Sequence, residues 1–232
     1  MSIPSVVIIW CDVSFETRSS YQAMQDEFNE TTTGASAQEP DRMDVDIVND
    51  GTNYFHSNNV PLIVTRTIEE AETEIKNHSK EKIFIICSGT IGRFLVPIIS
   101  QKFFYVHDIF IFTHGLERHT EWTAAYKPMV KMFRFHTTLL IRLTHEITKY
   151  FIKQGNNYLQ VDDGSSALKY FKHAQKLEIE ANKRSKTTWN AAETYSNQPD
   201  YRRHLNVLEG HNGLIAQAEN SMRRQGLPVP NY

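Results

Sequence analysis

Cysteine is scarce. Cys11 and Cys87 are the only two in 232 residues, and both stand in apolar runs. A disulfide framework is thereby excluded, and the pair reads as buried, reduced thiols. Charge imbalance is absent too. Twenty-five Lys and Arg face 27 Asp and Glu, a net charge of −2. No overall field draws this chain to nucleic acid. No stretch approaches the ~18 consecutive apolar residues of a membrane span. The opening "MSIPSVVIIWCDV" lacks the basic leading region and small-residue cleavage site of a signal peptide. The expectation is a cytoplasmic protein with neither a nucleic-acid nor a membrane partner. Metal-ligand spacing is also missing: there is no Cys–Cys pair and no His-Glu-x-x-His, and His114 and His119 are five apart, a poor fit to one helical face. No metal site and no cofactor are expected.

What is present is enough apolar residue, 40%, for a sizeable core. "VVIIW" at Val6–Trp10 is continuously apolar, as a strand buried on both faces of a parallel sheet must be. Similar runs lie at 60–66, 83–87, 108–113 and 129–135, with helical patterns between them near 68–77, 92–101 and 117–127. Thr67 precedes "IEEAETEIKN" as a helix cap, and the acidic first turn suits the positive end of that helix. Strands alternating with helices imply right-handed crossovers. The expected fold is α/β: a flavodoxin-like three-layer sandwich with a parallel five-stranded sheet, order 2-1-3-4-5, over residues 1–135. A helix is expected at 19–29. The polar stretch 30–59 reads as a long mobile loop.

From residue 136 the period changes. Leu139, Leu140, Leu143, Ile147, Phe151 and Tyr158 share one side of a helix. "VDDGS" makes a turn, and Ala167, Phe171, Ala174, Leu177 and Ala181 form the stripe of a second helix. Residues 136–184 are thus an antiparallel helical hairpin. Residues 185–232 are a polar tail with short helices, one beginning at "SNQPD" and the last ending at Gly226.

The segment "KYFIKQGNNYLQVDDGSSALKYFKHAQKLEIEA" resembles a tetratricopeptide repeat. Phe151, Gly155 and Tyr158 stand at the first-helix positions of that family, and Ala167, Phe171 and Ala174 at the second-helix positions. Small residues sit where helices meet and aromatics fill the gaps. Gln154 and Ile179 depart from the pattern, the second where proline is common. Only one clear repeat is present, about 148–181, and one repeat does not bury its own faces. The hairpin therefore needs cover from the α/β part, the tail helices or another chain. The resemblance implies a protein or peptide partner or self-association. The open face beside Tyr158 and Tyr170 is the expected docking surface.

The α/β part, about 6–135, is similar to receiver- or TIR-like segments through "VVIIWCDV", "KIFIICSGTIGRFLVPIIS" and "DIFIFTHGLERHTEWTAAY". Such segments occur in large invertebrate proteins ahead of tetratricopeptide or ADP-ribosyltransferase modules, and the resemblance implies a signalling or interaction scaffold. Asp12 suits the acidic position of a receiver, but Ser88 stands where the phosphoacceptor aspartate belongs, and Lys131 lies inside strand five. A TIR-type enzyme that cleaves NAD needs a carboxylate beside a nucleotide pocket, and Glu117 and Glu121 near Trp122 are the candidates. A Cys–His hydrolase would need Cys87 and His114, but an apolar run blunts a thiol.

The remaining candidate is "SGTIGR". Ser88, Gly89, Thr90, Gly92 and Arg93 follow a central strand, where backbone N–H groups cradle anions. Neither G-x-G-x-x-G nor a P-loop is there. The bland alternative is a tight turn in which Gly89 supplies unusual backbone angles. The function expected from sequence is a non-catalytic interaction module. The alternative is a nucleotide-binding or NAD-cleaving domain using this loop.

Overall fold

The computed structural model describes residues 6–12, 60–188 and 202–230. The helix expected at 19–29, the loop expected at 30–59 and the start "SNQPD" lie outside them. The described residues fall into two units, one within 4–139 and the other within 140–232. The division lies inside a helix, not ahead of it at 135.

The first unit holds five strands: β1 (Val6–Cys11), β2 (Leu62–Thr65), β3 (Lys82–Ser88), β4 (Val106–Phe112) and β5 (Val130–Phe133). All neighbours pair in parallel, in the order β2-β1-β3-β4-β5. That is the expected flavodoxin-like order. Three helices alternate with the strands: α1 (Ile68–Asn77), α2 (Gly89–Lys102) and α3 (Leu116–Thr123).

Every residue of β1 is buried. Alternate residues serve opposite faces of the sheet. Val7, Ile9, Ile83, Ile85, Ile109 and Ile111 join Ala71 and Ile75 of α1 and Leu95 and Ile99 of α2 in one cluster. On the other face Ile8, Trp10, Phe84 and Phe110 are equally buried. Each such side chain contributes roughly 1.5–3 kcal/mol, so these central strands dominate the stability of the unit. Thr67 caps α1 as expected, its hydroxyl accepting from Glu70 N–H at 3.1 Å, while the Glu70 carboxylate accepts from Arg66 N–H at 2.7 Å.

The second unit contains α4 (His136–Gln160) from Leu140 onward, with α5 (Gly164–Thr188), α6 (Arg202–Leu208) and α7 (Leu214–Arg224). Helices α4 and α5 form the expected antiparallel hairpin. Phe151 meets His173 edge to face at 4.7 Å, and Tyr158 stacks on Tyr170 at 5.4 Å. Helix α4 runs through Gly155 without a break, and a Cβ there would stand 2.4 Å from the Phe171 ring. Gly155 is small because the partner helix occupies the space. Ala167, Phe171 and Ala174 are fully buried, and Phe151 nearly so.

The connecting turn places Asp162 at φ 59°, a left-handed conformation uncommon outside glycine. Its strain is offset by hydrogen bonds from α7: Ser221 donates to the carboxylate at 2.7 Å, and Arg224 pairs with it at 3.3 Å. Gly164 then lets α5 start against α7, where a Cβ would meet the Ala218 carbonyl at 2.7 Å. Helices α6 and α7 both pack on α5. The tail helices therefore supply the cover that a single helix pair lacks. The last helix reverses at Gly226, φ 69°, as expected. Among the described residues no helix is long and apolar enough to cross a membrane.

Candidate functional site

The carboxyl end of the sheet carries a row of polar groups. Thr65 and Ser88 end β2 and β3, and Asp12 and Thr113 directly follow β1 and β4. All four are buried. No loop intervenes after β3: Ser88 is the last strand residue and Gly89 the first of α2. The expected Gly-containing turn is thus a direct strand-to-helix junction, and Ser88 makes no side-chain cap. Gly89 has no positive φ. It is small for another reason: a Cβ would stand 2.5 Å from His119 Nε2. At Gly92 a Cβ would lie 3.1 Å from Ile111 and 3.3 Å from both Cys87 and Trp122. Both glycines serve close helix packing, and Gly89 does not supply the unusual backbone angles expected of it. Thr90 and Arg93 point to solvent.

The other candidates of this unit do not converge. Glu117 and Glu121 are exposed on α3, and Glu117 pairs with Arg134 at 3.4 Å. Trp122 turns inward, its indole N–H donating to His119 Nδ1 at 3.1 Å. Lys131 pairs with Asp108 at 2.5 Å, near the start of β4 and so at the opposite end of the sheet from Asp12. Burial pushes the Cys11 thiol up to about 11 and raises Cys87 well above the ordinary range. Neither is an activated nucleophile.

The helical unit offers a different surface. Tyr170 is 2% exposed and stacked by the half-buried Tyr158, so of the two only Tyr158 reaches the face expected to dock a partner. The opening lies on the outer side of α4, toward α6. It is a groove of about 720 Å³ lined by Ile152 and the exposed Val207 together with Arg142, Lys149, Lys153 and Asn156. Among the described residues no carboxylate lines it. Glu146 sits behind, pairing with Arg142 at 3.0 Å and Lys149 at 3.1 Å. At one end His145 and His204 reach Glu178.

Glu178 is the most buried charged group among the described residues of this unit, at 0% exposure. Its Oε2 accepts from His145 Nδ1 at 3.0 Å and from His204 Nδ1 at 3.3 Å. Burial pushes the carboxyl up, but the two imidazole hydrogen bonds more than reverse this and hold it below its usual range. Comparison of the chain with protein-family models, curated proteins and solved structures gives no match.

Sequence reading found neither the groove nor the triad. His145, Glu178 and His204 stand 33 and 26 residues apart on three helices. A faint signal was there: a histidine in the middle of the stripe Leu143–Ile147, and a glutamate beside Leu177 on the packed face of α5.

Proposed function

We propose that the chain is a non-catalytic interaction module that captures an acidic peptide segment in the groove between α4, the first helix of its tetratricopeptide-like pair, and the tail helix α6. The supporting observation is the lining of that groove. Arg142, Lys149 and Lys153 supply positive charge, Asn156, Asn157 and Gln160 supply amide donors and acceptors, and Ile152 and Val207 supply apolar contact. Amides placed along a helix pair the backbone of an extended peptide, and lysines steer its carboxylates. Glu146 already neutralises part of Arg142 and Lys149, which leaves Lys153 as the most available cation. The α/β unit, with its receiver- or TIR-like character, is then a scaffold for this surface. No observation favours the NAD-cleaving alternative, since Glu117 and Glu121 face solvent.

The test is fluorescence polarisation with labelled Asp- and Glu-rich peptides at low and high salt. Binding is expected at low salt, weakened as salt screens the charges. Reversing both lysines, Lys149→Glu with Lys153→Glu, weakens it by about tenfold or more, equivalent to ~1.4 kcal/mol. Equal binding of Lys-rich peptides, or no binding of acidic ones, removes the proposal.

A further inference from the structure

We infer that His145, Glu178 and His204 form a binding site for one zinc-class divalent ion, with a remaining coordination position open to the groove. The three side chains come from α4, α5 and α6. One ligand atom from each lies within 4.8 Å of the others. Two imidazoles and one carboxylate are a donor set that suits zinc. Donors sharing a tetrahedral zinc at bond lengths of ~2.0–2.1 Å stand ~3.3 Å apart. Glu178 Oε2 is 3.0 Å from one imidazole nitrogen and 3.3 Å from the other. The second carboxylate oxygen, Oε1, is buried without a hydrogen-bond partner among the described residues. Polar atoms so placed are costly unless satisfied. A cation bound at Oε2 neutralises a carboxylate that the helices otherwise seal from water.

The arrangement also adds to the packing of the buried Leu208 in holding α6, only seven residues long, in its place. His204 extends from it to the buried carboxylate, and an ion shared with His145 pins it to the hairpin. Three protein ligands are the number found where zinc keeps a position for water or another ligand. His145 and His204 both line the groove, so that position faces it. This inference is independent of the peptide reading, since it is measured without peptide.

The experiment uses full-length protein without a polyhistidine tag, freed of metal by chelator, with zinc chloride and cobalt chloride as probes. Calorimetry is expected to give one zinc per chain, and cobalt to give the intense visible bands of a four-coordinate ion. Glu178→Gln keeps the shape of the side chain, and His204→Gln changes the least buried ligand. Each is expected to weaken zinc by about a hundredfold or more, since even a partner of a ligand is worth up to about that factor. The exposed His211→Ala leaves affinity unchanged. Zinc is also expected to raise the melting temperature of wild type and not of the two variants. A small hydroxamate is expected to change the cobalt spectrum, and an unchanged spectrum refutes the open position. No zinc or cobalt binding by folded wild type, or binding that survives both variants, overturns the site and leaves the triad as a hydrogen-bonded knot.

Discussion

The two units bury polar groups in different ways. In the sheet of the α/β unit Thr65, Ser88, Asp12 and Thr113 sit at or just past the carboxyl ends of strands, while Asp108 near the start of β4 is answered by Lys131. In the helical unit His145, Thr148 and Glu178 lie in mid-helix, inside the packing. A polar group at a strand end is a by-product of ending a strand. A sealed carboxylate between two imidazoles costs stability relative to apolar residues of the same size. Such a cost is retained where the groups do something else, which is why the chemistry proposed for this chain lies in the helices and not at the customary end of the sheet.

The sharpest way to break the comparison is at a pair of packing glycines, one taken from each unit. Gly155→Ala puts a methyl 2.4 Å from the ring of Phe171, a side chain that is itself fully buried. The helices must separate, and a loss of roughly 2–3 kcal/mol is expected, more than the ~1 kcal/mol that alanine returns in helix propensity. Gly92→Ala meets only side-chain tips, at 3.1–3.3 Å. There the clash and the propensity gain nearly cancel, and a change within ~1 kcal/mol is expected. Urea unfolding followed by circular dichroism measures both. Equal losses would mean that the hairpin is no more tightly packed than the junction of β3 with α2.

The next largest effect concerns the thiols of the α/β unit. Cys11 and Cys87 are both fully buried. Ellman's reagent at pH 8 is expected to find neither in the folded protein and both after denaturation. The Cys11 thiol is raised by burial from 9.0 to about 11. A raised pKa contributes stability that is complete below pH 9 and is lost as pH climbs toward 11. Wild type should therefore lose ~2 kcal/mol relative to Cys11→Ala across that window. A constant difference between the two proteins would show that Cys11 stays hydrated.

How much of this was legible in the sequence depends on the range of each contact. The strands were readable because β1 and β3 are buried on both faces and so apolar without interruption, and the expected strand order rests on their alternation with helices. The hairpin was readable because Phe151, Gly155, Ala167 and Phe171 recur at fixed spacing. Strand ends were less so: "VPLIVTR" and "MVKMFRF" shrink to Leu62–Thr65 and Val130–Phe133, because apolar flanks look like strand where no pairing partner extends. Gly89 was misread because a glycine required by a distant histidine ring looks the same as one required by a turn. The triad was invisible for the same reason, since its members meet only when three helices pack.

The smallest expected effect tests whether the tail helix is a true part of the helical unit. Asp162 is solvent-exposed, and its carboxyl is held below its ordinary value of 3.8, chiefly by the Ser221 hydroxyl and then by Gln225. A depressed pKa contributes stability that is complete above that ordinary value and is lost as pH falls through the lower, folded one. Water screens the charge, so the melting temperature should move only slightly with Asp162→Asn. Hydrogen exchange is the sensitive readout. Amides of α7 should lose protection in Asp162→Asn at neutral pH, and wild type should lose the same protection on acidification below pH 3.8. If α7 exchanges alike in both proteins at both pH values, the Asp162–Ser221 contact does not hold it. The apolar face of Ile215, Ala218 and Met222 would then be sufficient to dock α7, and polar residues in this unit would matter for chemistry alone.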